Sequence, residues 1–220
     1  MSSNRLPGKV LKEVAGKPLL GYLVERLVRC RTVDRVVVAT STLSFDDPIV
    51  EWCSETGVQC RRGSLDDVVQ RFLQVAAELD LPAFVRVNAD SPLLVPSIVD
   101  QVVARFEQGG CDLATNVFPR SFPIGQSAEV IRTDALKLAR SAITQGDDLE
   151  HVTSYFYRNP ESFTIANVSF DRNVSDVQHS VDRPEDLQAF VDVVSHMTRP
   201  HWDYSLDEIL ALHGRGVVSR

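Results

Sequence analysis

The sequence predicts an α/β fold: a three-layer, Rossmann-like arrangement with a mostly parallel sheet between helices. Two observations predict it. Apolar β-branched runs such as Arg35-Val36-Val37-Val38-Ala39-Thr40 are continuous rather than alternating, as in strands covered on both faces. Such runs alternate along the chain with amphipathic segments, the pattern of a sheet with helices on both sides. At 220 residues the chain is long enough for a single domain with a sizeable core.

In order, Pro18 suits a helix start, and Leu19, Leu20, Leu23, Val24, Leu27 and Val28 recur at helical spacing to about Cys30. The strand at 35–40 follows. Asp46-Asp47-Pro48 opens a helix with acids at its positive end, and Gly57 closes it. A short strand from Val58 to Arg61 leads through Gly63-Ser64-Leu65-Asp66-Asp67 into a helix ending near Leu79. Ala83 to Val87 reads as a strand, Pro96 to Phe106 as a helix, and Asp112–Thr115 and Ala128–Ile131 as strands. Helices are expected over Asp134–Ile143 and Leu149–Arg158, the second stopped by Asn159-Pro160. Phe163–Val168 and the short Ser180-Val181 read as strands, and Pro184–Val194 as a helix. A tail from 200 to 220 adds a last helix, Ser205–His213.

The formal charge of -7 and a pI near 5.2 argue against general nucleic-acid binding, which needs a basic face. An anionic ligand must therefore be held by local cations or a metal. The four cysteines show neither C-x-x-C pairing nor zinc-ligand spacing, so reduced thiols in a cytoplasmic protein are expected. No apolar run reaches transmembrane length, and no membrane partner is expected.

The chemistry-bearing stretches are few. Asn4-Arg5-Leu6-Pro7-Gly8-Lys9, followed by Gly16-Lys17-Pro18, concentrates cations and glycines in an acidic protein, which suits a phosphate grip. A Pro-Gly turn with solvated cations has the same composition. The loop is not a Walker motif, and no G-x-G-x-x-G occurs. In open α/β sheets ligands sit beyond the carboxyl ends of strands, which singles out Asp90 in Asn88-Ala89-Asp90-Ser91-Pro92. Asp182, before Arg183-Pro184, is either a helix cap or a ligand. Two carboxylates from distant strand ends, completed by phosphate oxygens and waters, would suit Mg²⁺. Gly63, Ser64 and Asp67 open a helix where free amides can read a base or a phosphate, or where Ser and Asp simply cap.

These residues carry a resemblance. Ser3-Asn4-Arg5-Leu6-Pro7-Gly8-Lys9 with Ala15-Gly16-Lys17-Pro18, Gly63-Ser64-Leu65-Asp66-Asp67-Val68, Asp90-Ser91-Pro92-Leu93, Phe122-Pro123-Ile124-Gly125 with Glu129-Val130, Glu150-His151-Val152-Thr153 and Val181-Asp182-Arg183-Pro184-Glu185-Asp186-Leu187 resemble motifs of the cytidylyltransferases that activate sugar acids, among them the spore coat polysaccharide protein F group. The resemblance implies a nucleotide-diphospho-sugar transferase fold in one nucleotidyltransferase domain over residues 1–220. It implies Mg²⁺-dependent transfer of CMP from CTP to a sugar acid, with pyrophosphate leaving, and a homodimer. It implies Ser3, Arg5, Gly8, Lys9, Gly63, Ser64, Asp67 and Asp90 at the nucleotide, with Arg5, Lys9, Asp90 and Asp182 catalytic and Asp90 and Asp182 on the metal. Gly125, Ser127, Glu129 and His151 fall on the acceptor sugar.

This sequence departs from the pattern in places. Ala89 replaces a glycine, Leu149 an arginine, Gln178-His179 an Arg-Trp pair, and Gln126-Ser127-Ala128 stands where Leu-Asp-Val is common. In the family a hydrophobic strand leads into the phosphate loop, so a strand of about ten residues is expected upstream of Met1. Two other readings remain at this level: a glycosyltransferase-like nucleotide-sugar binder, against which the absence of Asp-x-Asp after Val87 counts, and a non-catalytic truncated homologue.

Overall fold

A computed structural model describes residues 5–144 and 146–218; Ser3, expected at the nucleotide, lies outside the described residues. The chain opens with a 3-10 turn at Lys9–Leu11 and a small antiparallel hairpin, β1 (Glu13–Val14) and β2 (Lys17–Pro18). Helix α1 (Leu19–Leu27) buries Leu19, Leu20, Leu23, Val24 and Leu27. It stops short of Cys30 because Arg29 and Cys30 turn back to Arg26 and Leu27 with i→i+3 bonds, the tighter geometry common at helix ends.

Strand β3 (Val37–Ser41) crosses over through α2 (Asp47–Thr56) to a parallel neighbour, β4 (Gln59–Gly63), in register Val37↔Gln59 to Ser41↔Gly63. After α3 (Val68–Glu78) come β5 (Ala83–Arg86), α4 (Pro96–Glu107), β6 (Leu113–Thr115), β7 (Glu129–Arg132) and α5 (Thr133–Ala142). Two short helices, α6 (Gly146–Glu150) and α7 (Ser154–Arg158), precede β8 (Ile165–Asn167), α8 (Pro184–Ser195) and α9 (Leu206–Val218). The second ladder runs β5-β7-β6-β8, with β7 antiparallel to both neighbours and β8 parallel to β6. With β7 alone reversed, β5, β6 and β8 point the same way and their carboxyl ends open on one side.

Among the described residues no ladder joins β3 to β5. Helices hold the two parts together. On one face Leu23 and Leu27 of α1 share a core with Ala83 and Val85 of β5, while Leu20 and Val24 pack with Val38 of β3. On the other, Phe72 of α3 stacks on Phe84 at 5.6 Å, as the alternation of side chains along β5 requires.

Three expected elements differ. The helix anticipated over Leu149–Arg158 is broken: His151 and Ser154 close turns onto Asp147 and His151, and Val152 and Phe156 on either side of the break lie in the core around Leu136. Ser180-Val181 joins no ladder among the described residues; instead Val181 N–H donates to the Asp90 carbonyl at 2.8 Å. The last helix, expected over Ser205–His213, runs on to Val218 as α9, whose Leu206, Ile209 and Leu212 pack on Phe190 and Val193 of α8. All four cysteines are free thiols. Among the described residues no helix is long and apolar enough to cross a membrane.

Candidate functional site

Three apolar side chains set the site. Leu6, Leu93 and Val181 lie in one core cluster, and each sits within a few residues of a charged group: Arg5 and Lys9, Asp90, and Asp182. Gly8 takes a left-handed conformation, φ 67°, which glycine adopts without steric cost, and it caps the 3-10 turn that carries Lys9. The Lys9 ammonium then donates to Asp90 Oδ2 at 2.6 Å and to Asp182 Oδ1 at 2.7 Å. Arg5 Nη2 lies 3.6 Å from the same Asp182 oxygen but is largely exposed. Burial works against the Lys9 charge, yet the two carboxylates hold its pKa above the ordinary lysine value. Burial also works against the Asp182 charge, but the Lys9 hydrogen bond and the nearby Arg5 hold its pKa below the ordinary value.

The cap reading of Asp182 is settled by its neighbour. Asp186 Oδ2 accepts from the backbone N–H groups of Asp182 and Arg183, both at 2.9 Å, so Asp186 closes the start of α8. The Asp182 side chain is thereby free to face Lys9. Asp90 and Asp182 thus converge on one cation with oxygen donors only, the hydroxyl of Ser180 lying 3.4 Å from Asp182 Oδ2. A hard divalent ion such as Mg²⁺ fits this donor set, because it takes one or two carboxylates and completes its shell with phosphate oxygens and water. No cluster of three or more metal-binding side chains occurs among the described residues.

The Gly63-Ser64 turn resolves toward structure. Ser64 Oγ accepts from Asp67 N at 3.0 Å, and Arg71 reaches back to the Ser64 carbonyl at 2.7 Å rather than pairing with Asp67. Asp67, expected at the nucleotide, uses one oxygen to cap Gln70 N at 2.8 Å and the other to clamp the Arg140 guanidinium at 2.7 and 3.0 Å. Its carboxylate fastens α3 to α5. Gly63 is buried, and a Cβ there would meet Arg71 Cγ at 2.8 Å, so glycine leaves room for that arginine.

On the acceptor side the expected residues separate. Gly125 has φ 92° and lies against the backbone of His179-Ser180, where a Cβ would come 2.3 Å from Ser180 N. Its role is close approach: Ile124 N–H donates to Val177 O and His179 N–H to Ile124 O, seaming this loop to the segment that ends in Asp182. Ser127 Oγ accepts from Arg120 at 3.1 Å. Glu129, expected to touch sugar, is 2 % exposed; it pairs with Arg86 at 2.7 Å and accepts from the Tyr157 hydroxyl. Burial, with the Glu129 charge beside it, pushes the Tyr157 hydroxyl pKa upward. His151, expected at the acceptor sugar, is exposed in the turn between α6 and α7, with no side-chain hydrogen bond to Ser127 or Glu129 among the described residues.

Sequence reasoning missed several residues here. Arg86 ends β5 and could have been found by asking which charged group closes a strand at the ligand-bearing edge. Gln126 is wholly buried; its side chain accepts from Val95 N at 2.9 Å, donates to Leu93 O at 2.7 Å and meets His179 Nδ1 at 3.3 Å. It ties the loop after Asp90 to the loop before Asp182.

Comparison with known proteins agrees with this geometry. Residues 1–212 match the Cytidylyltransferase family. The chain is 27 % identical to the spore coat polysaccharide biosynthesis protein SpsF of Bacillus subtilis, over 98 % of this chain and 91 % of that protein. It is 33 % identical to a 3-deoxy-manno-octulosonate cytidylyltransferase of Geobacter sulfurreducens, over 74 % of this chain and 60 % of the relative. The solved structure of a cytidylyltransferase from Leptospira borgpetersenii serovar Hardjo-bovis superposes with a TM-score of 0.92 at 28 % identity, covering 99 % of this chain and 92 % of the other. A family match over nearly the whole length, on a chain whose loop lysine converges with two strand-end aspartates, makes this protein a member of the cytidylyltransferase family of nucleotidyltransferases.

Proposed function

We propose that this chain transfers CMP from CTP to a sugar acid and releases pyrophosphate, making an activated sugar for surface polysaccharide or other glycan assembly. The observation that carries the reading is the convergence of Lys9 on Asp90 and Asp182 at 2.6 and 2.7 Å. In the reaction a sugar hydroxyl oxygen bonds to the α-phosphorus, the bond from that phosphorus to the bridging oxygen breaks, and pyrophosphate leaves with the electron pair. The hydroxyl proton passes to solvent.

Such a transfer asks for positioning and charge neutralisation rather than a covalent intermediate. Asp90 and Asp182 would hold Mg²⁺, which when bound supplies Lewis-acid polarisation of the phosphate oxygens. Lys9 and Arg5, on a loop whose backbone turns at Gly8, would hold the outer phosphates and neutralise charge on the departing pyrophosphate.

The test is pyrophosphate release from CTP with Mg²⁺ and a panel of sugar acids that includes 3-deoxy-manno-octulosonate and N-acetylneuraminate. Release that needs nucleotide, metal and sugar together is the expected result. Release with none of the sugars, or equal release from all four ribonucleoside triphosphates, would reject the assignment.

A further inference from the structure

We infer that Arg120 is the acceptor-recognition residue: its guanidinium pairs with the carboxylate of the sugar acid, while Phe118 and Ile124 offer apolar surface to the sugar ring. The inference rests on the function proposed above and adds a binding residue to it. Arg120 lies just past β6, at the same open edge as Arg86 and Glu129, and bridges back to Val117 in a tight antiparallel turn. The turn belongs to the loop that Gly125 seams to the Asp182 segment, so the guanidinium and the paired aspartates are carried by neighbouring backbone.

What singles out Arg120 is its state of pairing. Glu129 already has a partner in Arg86 at 2.7 Å and accepts from Tyr157. Arg120 is half-buried, and among the described residues no carboxylate lies within ion-pair distance of it. It donates through one nitrogen only, to Ser127 Oγ at 3.1 Å and to the Pro123 carbonyl at 3.4 Å. Burial lowers its pKa, with the nearby Glu129 opposing. One carboxylate facing two guanidiniums leaves this corner with a net charge of +1 in a protein of net charge -7. A partly desolvated guanidinium with open donors is suited to a carboxylate, which it can grip through two parallel bonds.

The surface beside it is apolar. Phe118 is 39 % exposed and stacks on Tyr157 with centroids 4.8 Å apart, and Ile124 is 40 % exposed. Isolated exposed apolar residues need no explanation, but two that flank a half-buried cation without an ion-pair partner among the described residues, within seven residues of sequence, match a ligand with an acid group and a carbon-rich face. The Ser127 hydroxyl holds Arg120 from one side. Where a carboxylate stands in place of Ser127, that side chain would pair with the arginine internally; the serine leaves the charge available to the ligand.

The test compares wild type, Arg120→Gln and Arg120→Lys, each with CTP and Mg²⁺, on 3-deoxy-manno-octulosonate, N-acetylneuraminate and the corresponding neutral sugars in which the carboxylate is reduced to an alcohol. Arg120→Gln should raise KM for the acid about 10- to 100-fold, the size of one or two charge-assisted hydrogen bonds, with KM for CTP unchanged. The preference of wild type for acid over neutral sugar should vanish in Arg120→Gln and be partly kept in Arg120→Lys. A general folding defect would weaken acid and neutral sugar alike, leave their ratio intact, and overturn the inference, as would a rise in KM for CTP alone. If wild type uses neutral sugars as well as acids, Arg120 has lost its assignment while CMP transfer stands. If it uses neither, the proposed function itself falls.

Discussion

The Lys9 ammonium lies 2.6 Å from the Asp90 carboxylate, an ion pair that spans 81 residues of sequence. The same nitrogen reaches Asp182 at 2.7 Å, so one internal cation balances two carboxylates that would otherwise face each other. Lys9→Ala removes that balance. In the absence of metal the variant should lose about 1–3 kcal/mol of stability, the range for orphaning a partly buried charged partner. Mg²⁺ alone should then raise its melting temperature more than it raises that of wild type, because the metal no longer competes with a tethered ammonium. CTP affinity should fall. Equal Mg²⁺ responses in the two proteins would show that Lys9 and metal do not share these oxygens.

Asp90→Asn, Asp182→Asn and Asp186→Ala separate chemistry from capping. The first two keep shape and remove negative charge from the oxygens proposed to hold the metal, and turnover should drop at least about 100-fold with little change in melting temperature. Asp186 accepts from Asp182 N and Arg183 N but has no bond to Lys9 among the described residues. Its replacement should cost about 1 kcal/mol, as loss of a helix cap does, and leave most of the turnover. Pyrophosphate release and thermal scans on the same samples decide it. Full activity in Asp182→Asn would return Asp182 to a purely structural role.

How far the sequence could be read depends on the range of the interactions involved. Val36-Val37-Val38 and the leucines of α1 at helical spacing are local signals: the strand appears within two residues of its expected place, and the helix starts at Leu19 as expected but ends three residues before Cys30. The site was legible as a set of strand-end carboxylates and loop cations, because Asp90 and Lys9 stand out by residue type. Their pairing was not legible, since Lys9 meets Asp182 across 173 residues. The same limit hid Arg86–Glu129, across 43 residues, and the clamp of Asp67 by Arg140, across 73. In the second case a helix-start aspartate looked available for ligand until a cation from another helix took it. The break at His151 was invisible for a different reason: Val152 and Phe156, four residues apart, fit a helical repeat, so the apolar pattern reads the same with or without the break.

Stability should fall on mild acidification, and two buried histidines set the window. His201 is 7 % exposed; its Nε2 lies 2.7 Å from Glu25 Oε2, while Nδ1 has no hydrogen-bond partner among the described residues, the arrangement of a neutral ring that donates through Nε2. Burial pulls its pKa from 6.5 to about 4, with Arg26 and Lys17 adding to that and Glu25 opposing it. Burial, with His213 and Arg26 nearby, takes His179 from 6.5 to about 3. Both groups are depressed, so the unfolded chain binds more protons below pH 6.5 and stability must decline as pH drops toward 4. Above pH 6.5 the two contribute no slope. Each histidine contributes at most about 1.4 kcal/mol per pH unit inside the window. Denaturant titrations at pH 7, 6 and 5 should show the fall, and His201→Gln should make it shallower. A flat profile down to pH 5 would mean that these rings take up protons in the folded protein as readily as in the unfolded chain.

Gly125 makes the last case, because two separate costs coincide there. Its φ of 92° is strained for any L side chain, and an added Cβ would stand 2.3 Å from Ser180 N and 2.6 Å from His179 C. Backbone on both sides cannot step aside as a flexible side chain could. Gly57, with φ 72° and nothing within 4 Å of its added Cβ, carries the conformational cost alone. Gly57→Ala should therefore cost about 1 kcal/mol. Gly125→Ala should cost about 3 kcal/mol or more and, by pushing Ser180 away, shift Asp182 two residues on, so that turnover falls beyond what the loss of folded protein explains. Melting temperatures of the two alanine variants, measured side by side with activity per folded molecule, test the difference. If they are destabilised equally, the loop and the Asp182 segment do not lie as close as the geometry places them.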